Sequence, residues 1–346
     1  MDNIDLELPR AGQGEASHAK LGWHKLPEGL QGSQESGQGP SGRILRIYVF
    51  LIKGDMKHLV DEFGFDSYNG NIPCGLCRCD RKDVPWNDWR AQAIWKRRLW
   101  TSHADWLANH PKAHPIFHDP ELGVTIFMVF YDSLHVSDYH GVSAHAISST
   151  ITVLVRGPQL GSDGPAENRK KFWADVKDYQ KSHQPHANTL QRLTPNMLWN
   201  QKAPYAHFPS LSGHVKAATT RNLVPSVHFV FQAHMDTSDP VHVKCELVLR
   251  HLTDFHDIVA RNLKQLYYSD TDITAIQSAI NGFVEHYNDL TWWAIRERKV
   301  LFNQVPKFHF FIHMGMQAQF SAVHLAYTYK EEDFVLVAVQ NSFNVC

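Results

Sequence analysis

An α/β fold with a large, mostly helical insertion is predicted by three observations. Ile44-Leu45-Arg46-Ile47-Tyr48-Val49-Phe50-Leu51-Ile52 is almost continuously apolar and rich in β-branched and aromatic residues, the composition of a buried strand. Leu122-Gly123-Val124-Thr125-Ile126-Phe127-Met128-Val129-Phe130-Tyr131 repeats that character. From about 166 to 300, apolar residues recur at helical spacing instead, as in Ile273, Ile276, Ile280, Phe283, Val284 and Tyr287.

Taken in order, residues 1–42 are rich in Gly, Ser, Gln and Glu without apolar periodicity. They cannot bury enough apolar surface to offset ordering entropy, so a disordered tail is expected. The segment 43–157 begins with the first strand, which ends at Lys53-Gly54-Asp55, and a helix is expected from Met56 to Phe63. A carboxylate at the end of a buried strand stands where α/β folds place chemistry, although a solvated strand-end Asp has the same local sequence. Pro85-Trp86-Asn87 then predicts a helix capped by Asn87. Trp89, Ala93, Trp100, Ala104 and Leu107 would form its apolar face, and Arg90, Lys96, Arg97 and Arg98 a basic stretch facing solvent or phosphate. The second strand ends at Asp132-Ser133-Leu134-His135, and Gly141 to Val155 reads as a helix packing back on the sheet. Gly157-Pro158 and Gly161 to Pro165 break the chain before the helical insertion at 158–300. There, Leu252, Phe255, Ile258, Val259, Asn262 and Leu266 also keep helical spacing. The final segment, 301–346, is expected to supply helices that complete the core.

Bulk composition restricts the function classes. With 346 residues and a formal net charge of -1, the chain has ample material for a core but no global basic field to draw it to nucleic acid. Its five cysteines are odd in number, and three of them fall within 74–79, which favours reduced thiols or metal over a disulfide framework. The acidic start Met1-Asp2-Asn3-Ile4-Asp5 is unlike a signal peptide, and no apolar run is long enough to span a membrane, so an intracellular protein without a membrane partner is expected.

Cys74-x2-Cys77 and His309-x3-His313 resemble two halves of one zinc site, since Zn²⁺ takes four N/S ligands in a tetrahedron and such pairs supply two corners each. Cys79 offers a spare thiol. Pro306 suits a first helical turn, from which positions four apart project together. With 23 histidines in the chain, however, an accidental His-x3-His pair on a half-buried helix reads the same way. His110, His114 and His118 share the spacing, but Pro111 and Pro115 interrupt any helix there. Among the acids, Asp55, Asp132 and Glu332 could serve two-metal phosphodiester chemistry, which needs carboxylate oxygens converging on divalent ions such as Mg²⁺. His135 could orient a phosphate or move a proton. Glu331-Glu332-Asp333 would equally suit the N-terminus of a helix through its dipole.

In this order the motifs resemble the eukaryotic cut-and-paste DDE transposases, most closely their CACTA-like and Transib/RAG-like branches. The most telling segments are Asp132-Ser133-Leu134-His135-x5-Gly141-Val142-x2-His145 and Pro306-Lys307-Phe308-His309-x3-His313. The resemblance spans roughly 43–345 by motif order more than by continuous identity. It implies an RNase H-like core with a helical insertion, acting on DNA in the nucleus, with self-association as a further possibility. It implies structural zinc at Cys74, Cys77, His309 and His313, and catalytic Mg²⁺ at Asp55, the middle acid, and Glu332, the final one. Asp132 and His135 match a motif of less settled role. The family's first acid lies on an earlier strand, whereas Asp2 and Asp5 here have no strand context. A truncated or degenerate, catalytically inactive copy is therefore expected, with a non-enzymatic zinc-stabilised DNA- or protein-binding remnant as the alternative.

Overall fold

Strands β1 (Ile52–Gly54) and β2 (Val129–Tyr131) pair in parallel, with Ile52 opposite Val129 and Gly54 opposite Tyr131. The computed structural model describes residues 51–184, 187, 189–198, 207–211 and 215–327, and among these the two strands are the whole sheet. The predicted tail, most of the predicted first strand, and Glu331, Glu332 and Asp333 lie outside the described residues. Between the strands lie helices α1 (Met56–Asp61) and α2 (His103–Asn109) with several short turns. After β2 come α3 (Ser133–Ser137), α4 (Val142–Arg156), α5 (Pro165–His183), α6 (Pro195–Leu198), α7 (Ala217–His234), α8 (Pro240–Arg261), α9 (Asp270–Arg296) and α10 (Lys307–Gln317). The fold is mixed α and β but dominated by helix.

Each strand runs directly into a helix. Asp55 caps α1 by accepting from the His58 amide at 2.7 Å, and Asp132 caps α3 by accepting from the Leu134 amide at 2.9 Å. The ladder extends one step further, since the Asp132 amide donates to the Gly54 carbonyl at 2.9 Å. The turn from α3 into α4 requires Gly141, because a Cβ there would lie within 2.5 Å of the Val136 and Ser137 carbonyl oxygens.

Helix α4 is buried on nearly every side although it carries five Ser and Thr residues at 143, 148, 149, 150 and 152. Several satisfy themselves within the helix: Thr150 and Thr152 donate to the carbonyls four residues back at 2.9 and 2.7 Å. Ser149 instead accepts the Phe302 amide at 3.2 Å. Helices α8 and α9, capped by Asp239 and Ser269, pack together with the His251 ring stacked 5.5 Å from that of His286, and each buries an apolar face, Val248, Leu252 and Phe255 on one and Ile276, Ile280 and Phe283 on the other. Helix α10 docks on this pair: Phe308 lies 4.6 Å from Tyr287 and Phe311 lies 5.0 Å from Phe255, centroid to centroid.

Three sequence expectations are corrected. The helix expected after Asn87 does not form. That segment is irregular apart from one 3-10 turn at Ile94–Arg97, and regular helix starts only at His103. Trp89, Ala93 and Trp100 are buried as expected, but from irregular backbone that delivers each indole from its own direction. The Asp88 carbonyl, for example, accepts from the Trp95 indole at 2.8 Å instead of from a helical amide. The strand expected over 122–131 is confined to its last three residues, because Ile126–Met128 forms a 3-10 turn and the Ile126 amide donates to the His103 ring at 3.3 Å. Helix α8 stops at Arg261, where the Asn262 side chain donates to the Ile258 carbonyl at 2.9 Å, and leaves Leu266 exposed beyond the end.

A buried polar network ties the helices together. Arg221 Nε of α7 donates to Asp138 at 3.1 Å, and His256 of α8 lies 3.4 Å from the other Asp138 oxygen and 3.3 Å from the Ser143 hydroxyl. Burial pulls the His256 imidazole from 6.5 down to about 4, against the attraction of Asp138. Between those values the unfolded chain binds a proton that the folded chain refuses, so stability falls as pH drops through that window. His256→Gln should remove a pH-dependent component of order 3 kcal/mol. The check is the urea midpoint measured from pH 6.5 to 4: a flatter profile than wild type is expected, and an identical slope contradicts this account.

Candidate metal centre

Cys74, Cys77, His309 and His313 converge in the core, and one ligand atom from each lies within 4.8 Å of all the others. The Cys74 sulfur is 3.4 Å from His313 Nε2, the Cys77 sulfur is 3.3 Å from His309 Nε2, and the two Nε2 atoms are 3.1 Å apart. A tetrahedral zinc with ordinary Zn–S and Zn–N bonds has edges of about 3.5 Å between S and N and about 3.3 Å between two N. The donor set and its spacing therefore fit a metal ion such as zinc. No other group of three or more His, Cys, Asp or Glu ligands converges among the described residues.

Two local structures build this centre. Helix α10 is buried all round: Phe308 and Phe311 face the α8–α9 pair, Phe310 packs 4.3 Å from the Tyr131 ring, and His309 and His313, four apart, share the side facing the cysteines. The cysteine segment has little regular structure and is held by its aromatic residues. The Trp106 indole donates to the Gly75 carbonyl at 3.0 Å, and the Phe65 ring is so close to Gly75 that a Cβ would come within 2.6 Å of it. Trp95 lies against both imidazoles, at 4.2 Å from His309 and 5.4 Å from His313.

The surroundings orient the ligands. His309 Nδ1 is 2.9 Å from the Trp86 carbonyl, which directs Nε2 toward the centre and fixes the tautomer. The Tyr131 hydroxyl stands 3.5 Å from the Cys74 sulfur and accepts the Gly75 amide at 3.2 Å. Burial works against ionising Cys74, but hydrogen bonds with the Cys77 and Cys79 thiols and the nearby imidazoles outweigh it and hold the Cys74 thiol well below the usual range. Burial and the Cys74 charge push Cys77 up. Burial also lowers the His309 imidazole, which favours the neutral ring that a metal requires.

The acidic candidates occupy a separate place. Asp55 and Asp132 follow paired strand ends and so sit side by side, and Asp132 also binds the His135 ring. Asp55, His135, His140, His145 and Lys307 line a cleft of about 380 Å³. Lys307, which the sequence reading did not single out, is largely buried there. Its ammonium donates to the Tyr139 carbonyl at 2.9 Å, and burial lowers it to about 8 despite the attraction of Asp55 and Asp132. Glu332 lies outside the described residues. The basic residues 90–98 do not form one helical face: Arg90 pairs with Asp88 at 2.7 Å and Lys96 lies over the Trp95 ring at 5.7 Å.

Compared with protein-family models, curated proteins and solved structures, the chain matches none. Among the described residues no helix is long and apolar enough to cross a membrane.

Tyr131→Phe should leave the fold intact and weaken zinc binding by about 10–100-fold, since it removes the hydroxyl that orients the Cys74 loop. Competition against a chromophoric chelator measures this. Unchanged affinity contradicts a supporting role for the Tyr131 hydroxyl.

Proposed function

We propose that the chain is a zinc-stapled, transposase-derived DDE-type nuclease or strand-transfer domain on an RNase H-like plan, with DNA as its partner and with its catalytic centre silent. The observation that carries this reading is the closure of the cysteine and histidine pairs across 232 residues of chain, in the motif order of that family. The adjacent placement of Asp55 and Asp132 after parallel strands supports it further. Zinc at Cys74, Cys77, His309 and His313 would be structural, since four protein ligands leave no open position for a substrate.

The cleft beside the strands is where phosphodiester chemistry would reside. Mg²⁺, held by Asp55 and Glu332, would activate water or a 3′-hydroxyl for attack on phosphorus. Asp132 fixes the ring of His135 toward the same cleft. Silence follows from how these groups are already engaged: Asp55 and Asp132 both cap helices, and the buried Lys307 is a cation near both carboxylates, in competition with a divalent ion. The same engagement favours a second reading, a non-enzymatic zinc-stabilised module that binds DNA or protein.

Purified protein should contain one zinc per chain and should not nick supercoiled DNA with Mg²⁺ or Mn²⁺. Nicking that disappears in Asp55→Ala would show an active enzyme and overturn the silence. Nicking that survives in Asp55→Ala would overturn the catalytic assignment. Protein that folds without metal would remove the basis for the proposed ancestry.

A further inference from the structure

Cys79 is buried in the core beside the four converging ligands but is not one of them. It is 1% exposed, and its sulfur lies 3.7 Å from His309 Nε2. Yet it is not one of the four residues whose ligand atoms all lie within 4.8 Å of one another. The Cys79 sulfur therefore stands beside the His309 corner of the centre, outside the four-ligand set.

The backbone explains why this thiol points inward. Cys77 pairs with Leu99 in a single antiparallel bridge, and the Arg78 amide donates to the Arg98 carbonyl at 2.9 Å, so the segment is extended. In extended chain, residues two apart face the same way. Cys77 and Cys79 thus turn toward the imidazoles, while Arg78 turns outward, its guanidinium 4.3 Å from the Trp100 ring and paired with Asp105. Beyond Cys79 the chain is fixed by Asp80, whose carboxylate accepts from the amides of Lys82, Asp83 and Val84.

We infer that Cys79 is a fifth donor of the metal centre, able to take the place of His313, so that the site alternates between two sulfurs with two nitrogens and three sulfurs with one nitrogen. Both sets are ordinary zinc environments. An ion drawn toward Cys79 would stay with His309, which both donor sets share, and give up His313. Softer cations favour the thiolate-rich state, because sulfur ligands select for them over imidazole. This inference rests on the metal-site reading above, and its test separates the two.

The test loads wild type and Cys79→Ser with Cd²⁺ and compares thiolate-to-metal charge-transfer absorbance per bound ion. Wild type should show three thiolates, and Cys79→Ser should lose roughly one third of the intensity, as expected for two remaining sulfur ligands. In the zinc form, His313→Ala should keep one ion per chain, whereas the double variant His313→Ala/Cys79→Ser should bind more than about tenfold more weakly than the single one. Equal intensity in wild type and Cys79→Ser overturns the role of Cys79 while leaving the metal site standing. Failure of wild type to bind Cd²⁺ or zinc overturns the metal site itself. If His313→Ala does not fold, the wild-type and Cys79→Ser comparison still decides the question.

Discussion

Everything in this fold depends on helix α10 being occupied on all of its sides. Phe308 and Phe311 commit one side to the α8–α9 pair, Phe310 commits another to Tyr131 beneath the strand ends, and only the side with His309 and His313 remains for the cysteines. An amphipathic helix on a surface can roll by several degrees; one gripped by aromatic rings on opposite flanks cannot. The imidazole pair is therefore aimed by packing before any cation arrives, and preorganisation of this kind raises affinity by cutting the entropy lost on binding. Gln317, at the end of the same helix, donates to the Val129 carbonyl at 2.8 Å and joins α10 to the sheet. Metal centre, strand ends and helical hairpin are thus set relative to one another by eleven residues.

That joint position also explains why two kinds of chemistry lie close without mixing. The sulfur and imidazole donors are enclosed in the core. Both carboxylates lie past the strand ends, Asp55 lining a cleft with His140 and Lys307 and Asp132 buried behind it, bonded to His135. Lys307 begins α10 and His309 follows two residues later, about 200° round the helix, so the same first turn shows Lys307 to the cleft and His309 to the metal centre.

Much of this was legible from residues alone, for reasons that differ by element. The Cys74-x2-Cys77 and His309-x3-His313 pairs could be read because few backbone shapes are needed to present two ligands at those spacings. The long apolar periodicity of α9 and the Gly141 entry to α4 were equally plain, because both are set by local sequence. The tryptophan-rich stretch misled because its apolar spacing matches a helix by coincidence. Indole N–H groups that seek carbonyls, as Trp95 and Trp106 do, stabilise irregular chain just as well. Leu266 continued a helical pattern past the point where Asn262 ends the helix. The abundance of histidine also finds a structural account. His110 bonds the Trp106 carbonyl at 2.8 Å and His114 accepts the Ile116 amide at 3.2 Å, so their regular spacing serves loops and not a ligand set. Lys307 was invisible as a site residue because nothing in the sequence says that a lysine beside a histidine will be buried near two carboxylates.

The distance along the chain between the two halves of the metal centre also governs how the molecule must be born. Cys74 and His313 are 239 residues apart, and at bacterial or eukaryotic translation speeds of about 5–20 residues per second the ribosome needs on the order of ten to fifty seconds to pass from one to the other. Throughout that interval the nascent polypeptide carries three neighbouring thiols without His309 and His313, the imidazoles that meet them in the fold. Those sulfurs must stay reduced, or be shielded by a temporary guest, until helix α10 emerges and the centre can close.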